Sequence, residues 1–141
     1  MTQRQPKIVM MKRFLYTLAW LIAIGLWCAS FYFLLSKHPY AGNVSIPEHG
    51  AHTFLFFGLA FMTSCAQRRP NIAMTLAILY FFGGITEVSQ HFNPPRTCDP
   101  MDFMEDVVGS TLGVFTALGW MALLRWFLHF LQAQPVTDVP Y

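Results

Sequence analysis

The chain has 141 residues, of which 55% are hydrophobic and only 11% are charged, against about 25% charged in an average soluble domain. Its net charge of +2 gives no strong signal for nucleic-acid binding. Its three cysteines are too few, and odd in number, for a disulfide framework. These figures exclude a disordered chain, a disulfide scaffold and a soluble domain with a charged shell, and they leave a small integral membrane protein of one domain.

Four apolar stretches follow one another along the chain, at 14–35, 51–66, 71–86 and 107–124. An α-helix needs about 20 residues to cross a hydrocarbon core about 30 Å thick. The first stretch reaches that length and is too long for a cleaved secretory signal, so we interpret it as a retained helix. The middle two reach it only if their helices continue into the polar residues beside them. We therefore predict an all-α integral membrane protein, folded as a four-helix transmembrane bundle.

The basic residues are divided unevenly between the two sides that four crossings create. One side holds seven of them: Arg4, Lys7, Lys12, Arg13, Arg68, Arg69 and Arg125. The other side holds Lys37 and Arg96. The positive-inside rule therefore predicts that both termini are cytoplasmic. The predicted organisation is a cytoplasmic basic tail at 1–13, a four-helix membrane domain at 14–131 and a cytoplasmic tail at 132–141.

Most acidic residues fall on the opposite, outer side, where three predicted helix ends meet. The positive-inside rule does not require this bias, so it needs another explanation. The loop that joins the third and fourth spans contains Pro94 and Pro95, which stop the third helix. Asp99 followed by Pro100 is typical of a helix start, with the acid as cap and the proline in the first turn.

Glu87 is the most informative single residue in the third span. An ionised carboxylate that faces lipid costs roughly 2–3 kcal/mol at full depth, so Glu87 should face the bundle and have a partner. Arg96 on the following loop and His52 on the second span are the candidates. Arg96 also suits a phosphate or carboxylate of a substrate. Two interpretations stay open for these residues: recognition of an anionic group, or an ion pair that only fixes helix register.

The fourth span carries Asp102, Asp106, Gly109 and Gly113 on one stripe, at steps of four, three and four residues. The two glycines would let another helix pack closely, either within the chain or in a homo-oligomer. Asp102 lies in the first turn, where an acid favours the helix dipole whatever its function. Asp106 is one turn deeper, where this explanation is weak.

The histidines raise the question of a metal ion. His49 and His52 are three residues apart, and Glu87 and His91 are four apart. This spacing matches no closed zinc signature, so we predict neither a metal nor another cofactor. His52 is interpreted instead as a hydrogen-bonding or acid–base group.

Residues 87–113, EVSQHFNPPRTCDPMDFMEDVVGSTLG, resemble a motif of the VanZ-like family of small bacterial membrane proteins. That motif has the form E-x-x-Q, a loop, then R-x-x-S-x-x-D-x-x-x-N-x-x-G-x-x-x-G. An upstream D-K-x-x-H-x-x-x-Y element also has a counterpart from Glu48 to Phe56, in which His52 is kept. The resemblance covers about half of the chain. Asp106 stands where the family usually has Asn, and Asp99 stands where it has Ser.

The resemblance implies a multi-pass protein of the bacterial inner (cytoplasmic) membrane that acts at the cell envelope. It also implies a link to resistance against glycopeptide antibiotics of the teicoplanin type. The predicted catalytic residues, which would move a proton or orient a reacting group, are Glu87, His52 and Asp102. The predicted substrate-binding residues are Arg96, Gln90 and Asp106.

The expected partners are the lipid bilayer and an anionic or lipid-linked envelope molecule, with no nucleic acid. Whether the chain is an enzyme stays open at this point. A second hypothesis is non-catalytic binding of a lipid head group or an amphipathic antibiotic. A third is a structural or partner-binding protein, whose polar network only holds the bundle together.

Overall fold

The computed structural model describes residues 5–35, 48–92 and 100–132, and these residues form four α-helices. They are α1 (Gln5–Leu35), α2 (Glu48–Ala66), α3 (Ile72–His91) and α4 (Pro100–Gln132). The predicted all-α class is thus confirmed over the described residues. Three of the helices contain segments long and apolar enough to cross a membrane: Arg13–Tyr32, Ile72–His91 and Pro100–Phe130. The apolar part of α2, Gly50–Ala66, is shorter.

The helices extend beyond the apolar stretches, as the length argument requires. α2 already begins at Glu48 and α3 continues to His91, so both helices include the polar residues beside their apolar stretches. Asn71 caps the start of α3, where its side chain accepts a hydrogen bond from the Met74 backbone N–H at 3.1 Å. α4 begins at Pro100, as predicted. The predicted cap Asp99 lies outside the described residues.

Side-chain contacts fix the directions of the helices. The ring centroids of Trp27 and Phe82 are 4.8 Å apart, and Gln90 Nε2 donates to the Leu34 carbonyl at 3.2 Å. The residue numbers of the contacting side chains increase together along α1 and α3, so these two helices are parallel. The same reasoning applies to α2 and α4, whose contacts are described next. Between α1 and α2 the order is reversed, because Trp27 contacts Thr63 while the earlier Tyr16 contacts the later Arg68, so successive helices run in opposite directions.

The predicted glycine contact is the closest approach between α2 and α4. A Cβ atom on Gly109 would overlap the backbone carbonyl of Thr53, and one on Gly113 would overlap the carbonyl of Phe57 and the side chain of Ala60. Backbone atoms cannot move aside as a flexible side chain can. These glycines therefore let α2 and α4 form the most extensive helix pair, within one chain.

An apolar core cluster has members from all four helices. Phe82 packs against Trp27, Phe31 and Phe56, with centroid distances of 4.8, 5.9 and 5.8 Å. Large apolar side chains also cover the outside, for example Phe54, Phe81 and Phe115. Such a surface is suited to contact with lipid, and it agrees with the three apolar helices of spanning length.

The two ends of the bundle differ in charge. Arg68 lies 5.6 Å from the ring of Tyr16, which places the first half of α1 beside the connection from α2 to α3. Arg13 and Arg69 are exposed at this end. The opposite end holds the carboxylates of α3 and α4 described below. The basic and acidic residues of the described helices therefore lie at opposite ends of the bundle.

Candidate functional site

The candidate site lies where the start of α2, the end of α3 and the start of α4 meet. His52 is in the second turn of α2, Glu87 in the last turns of α3, and Asp102 and Asp106 in the first turns of α4. Because α3 runs opposite to the other two helices, residues late in α3 come next to residues early in α2 and α4. The topology thus brings together three polar segments that are far apart in the sequence.

His52 and Asp106 form the buried centre of the site. Nδ1 of His52 lies 3.0 Å from Oδ1 of Asp106, which is fully buried. A carboxylate at this distance accepts the Nδ1–H hydrogen bond and so fixes the orientation and the tautomer of the imidazole. In that tautomer the other nitrogen, Nε2, has a free lone pair.

Nε2 of His52 faces Asp102. It lies 3.9 Å from Oδ2 of Asp102. Glu87 is 4% exposed, so its carboxylate faces into the bundle and not towards lipid, as expected. One ligand atom from each of His52, Glu87 and Asp102 lies within 4.8 Å of the other two. Three side chains from three helices thus converge on one small volume.

The site is open on the Asp102 side and closed beneath Asp106. The side chain of Asp102 is 25% exposed and that of His52 is 11% exposed. Beneath them, a Cβ atom on Gly83 would lie 2.8 Å from Oδ2 of Asp106, so only a glycine lets α3 pass over this carboxylate. A molecule from outside would therefore reach Asp102 and the Nε2 side of His52 before it reached Asp106.

Glu105 supports the rim of the site. Its Oε2 accepts a hydrogen bond of 2.8 Å from the backbone N–H of Gly50. Gly50 has a positive φ of 100°, a conformation that glycine adopts without the strain of a side chain. The bond ties the first turn of α2 to α4 next to His52.

The predicted substrate-binding residues are in different situations. Gln90 is buried and donates to the carbonyl of Leu34, so it ties the end of α3 to the end of α1. Asp106 is held by His52. Arg96 lies outside the described residues, and so does Cys98 on the same loop. His91, which shares a predicted helix face with Glu87, is exposed because it lies at the very end of α3.

Two features of the site were missed by sequence reasoning. The partnership of Asp106 with His52 was not predicted, although an acid too deep for the helix dipole needs some other partner. The bond from Gly50 to Glu105 has no signal in the sequence, because it depends on how two distant helix starts are aligned.

The arrangement has two chemical capacities. An imidazole held at Nδ1 by a buried carboxylate can take up or release a proton at Nε2. Alternatively, one nitrogen and two carboxylate oxygens that converge can bind a cation. Comparisons of the chain with protein-family models, curated proteins and solved structures give no match. The fold and composition define the class as an α-helical membrane protein with a buried acid–histidine cluster at one end.

Proposed function

We propose that this chain is a multi-pass protein of the bacterial inner membrane that binds an anionic or lipid-linked molecule of the cell envelope. In this proposal all four helices cross the bilayer and both termini are cytoplasmic. The cluster of His52, Glu87 and Asp102 then opens towards the outer side. The support for this orientation is the separation of exposed arginines at one end from carboxylates at the other.

The single observation that carries the proposal is the convergence of three ionisable side chains at an open helix-end site. Buried carboxylates and imidazoles are rare in apolar helices, because each costs free energy unless it has a role or a partner. One imidazole beside three carboxylates brings together more ionisable groups than a simple ion pair needs. This convergence favours a ligand site over a contact that only joins helices.

Arg96 supplies the anion-binding group in this proposal. It is placed on the short connection between α3 and α4, and both of these helices contribute to the site. A guanidinium group can form two parallel hydrogen bonds to a phosphate or carboxylate. The bound molecule would contact Arg96 and the open side of Asp102, while Asp106 acts as a positioning residue beneath His52.

The resemblance to the VanZ-like family extends the proposal to a phenotype, namely reduced susceptibility to teicoplanin-type antibiotics. The test is expression in a susceptible bacterial host, with measurement of the inhibitory concentration of teicoplanin. We expect Glu87→Gln and Arg96→Ala to abolish the protection while the protein remains in the membrane at normal amounts. The exposed His91→Gln variant is the matched control and should still protect.

Two results would contradict this proposal. If both Glu87→Gln and Arg96→Ala still protect the host, the site is not required for protection. If the unaltered chain gives no protection, it has no link to these antibiotics. A comparison of envelope lipids with and without the chain then separates catalysis from binding, because only an enzyme produces a new lipid species.

The alternative is a structural or partner-binding protein whose polar network holds the helices together. The observation that favours it is the close contact of Gly109 and Gly113 with α2, beside the buried pair of His52 and Asp106. Under this alternative, every polar residue of the cluster should contribute to stability. Under the binding proposal, Glu87 and Asp102 should contribute more to ligand binding than to stability.

A further inference from the structure

We infer that His52, Glu87 and Asp102 together bind a divalent transition-metal ion, which in turn binds the phosphate of the envelope molecule. The first part, the metal site, stands on the geometry of this chain alone. The second part, the identity of the group bound to the metal, rests on the proposed function. The two parts are tested by separate measurements below.

The first argument for the metal is the geometry of the three side chains. Three atoms mutually within 4.8 Å can each lie about 2.8 Å from a common centre, whereas Zn–N and Zn–O bonds are about 2.0–2.2 Å long. A contraction of about 0.6–0.8 Å for each ligand closes this gap. Side-chain torsions supply such a movement easily, because the ligands come from three different helices and one of them, Asp102, is partly exposed.

The second argument is the hydrogen bond to the far side of the imidazole. Histidine ligands nearly always donate their other N–H to a carboxylate, a carbonyl or water, which orients the ring and makes the ligand more basic. Asp106 is placed to accept this bond, with Oδ1 at 3.0 Å from Nδ1 and full burial. Nε2 is then the metal-binding atom, on the side of Asp102.

The third argument is the charge that a metal ion brings to the site. Three carboxylates, from Glu87, Asp102 and Asp106, lie around one imidazole, and such a set of groups favours a cation. A divalent cation is the largest local charge in such a site and reverses its preference. Three protein ligands also leave a fourth coordination position open, as in catalytic zinc sites. A phosphate oxygen is suited to that position.

The metal site is tested on the full chain, purified in detergent, stripped with a chelator and equilibrated with Zn²⁺. We expect about one equivalent of tightly bound zinc. His52→Gln, Glu87→Gln and Asp102→Asn should each lose it. Asp106→Asn keeps all three ligands and should weaken binding by about 10- to 100-fold. His91→Gln is the matched control and should bind as the unaltered chain does.

Two outcomes would overturn the metal site. One is an unaltered chain that retains no more zinc than His52→Gln. The other is equal zinc binding by all variants, which would mean that zinc binds elsewhere. If His52→Gln does not fold, as judged by its helicity, Asp102→Asn decides the matter because Asp102 is partly exposed.

The bound group is tested by adding bilayer discs that contain phosphatidic acid, or inorganic phosphate alone, with and without zinc. Zinc-dependent binding of phosphatidic acid supports a lipid phosphate as the metal's fourth ligand. Zinc-dependent binding of inorganic phosphate only would overturn the lipid source. If phosphatidic acid or phosphate binds without zinc, the metal does not bridge the protein and the phosphate. The proposed function is decided separately by the antibiotic assay.

Discussion

At the end of the bundle where α2 leads into α3, neutral side chains make the connection. Gln67 donates to Thr75 Oγ1 at 2.9 Å and accepts from the Asn71 backbone N–H at 3.1 Å, while Arg68 and Arg69 are exposed. At the opposite end, an imidazole and several carboxylates are drawn into the bundle.

The neutral end joins α2 to α3, and the charged end joins both of these helices to α4. Each end has to satisfy polar groups beside apolar helices. The neutral end does so with amide and hydroxyl hydrogen bonds, so buried charge is not needed there. A ligand at the charged end, as proposed above, accounts for this difference, and the following predictions test that proposal from the largest expected effect to the smallest.

Gly109→Leu should have the largest effect, because α2 and α4 meet there by their backbones. A side chain would meet the backbone carbonyl of Thr53, so α2 and α4 would have to separate, and the loss should exceed the roughly 1–3 kcal/mol that is typical of overpacking by side chains. We expect loss of the sharp thermal transition of the chain in detergent. Gly119→Leu is the control, because a Cβ atom there has nothing within 4 Å. Equal melting of both variants would show that the glycine contact is not required.

Asp106→Ala should come next, because it leaves His52 buried without its carboxylate. Breaking a buried ion pair by removing one partner costs about 3–5 kcal/mol. Asp106→Asn keeps an oxygen for the Nδ1–H bond and should lose less stability. In a double-mutant cycle with His52→Leu, we expect a coupling energy of about 0.5–3 kcal/mol. Additive losses would mean that the two side chains do not interact.

Gln67→Ala should have a smaller effect at the neutral end. It removes the hydrogen bonds to Thr75 and Asn71, which are worth about 1 kcal/mol each. Zinc binding and protection from teicoplanin should not change, since this end is far from the cluster. A change in zinc binding or in protection would contradict the distinction between a structural end and a ligand-binding end.

The sequence predicted the helices well, because length and hydropathy are local properties. It also predicted that α2 and α3 would include their polar flanks and that Gly109 and Gly113 would permit close packing. The carboxylate of Glu87 was expected to face the bundle, since lipid is the less favourable surroundings for it.

The pairing inside the site could not be predicted in the same way. Which carboxylate faces His52 depends on the relative rotation of α2 and α4, and this is set by contacts along their whole length. The sequence therefore named His52, Glu87, Asp102 and Asp106 without showing that Asp106 holds the imidazole. It also gave no sign that Gln90 contacts α1.

The most direct test of the ligand-site interpretation is the melting temperature of Glu87→Gln in detergent with a chelator present. Residues that are kept for function often reduce the stability of a protein. We therefore expect this variant to melt at the same temperature as the unaltered chain or at a higher one. A fall as large as that of Asp106→Ala would contradict the interpretation and show that Glu87 serves to hold the helices together.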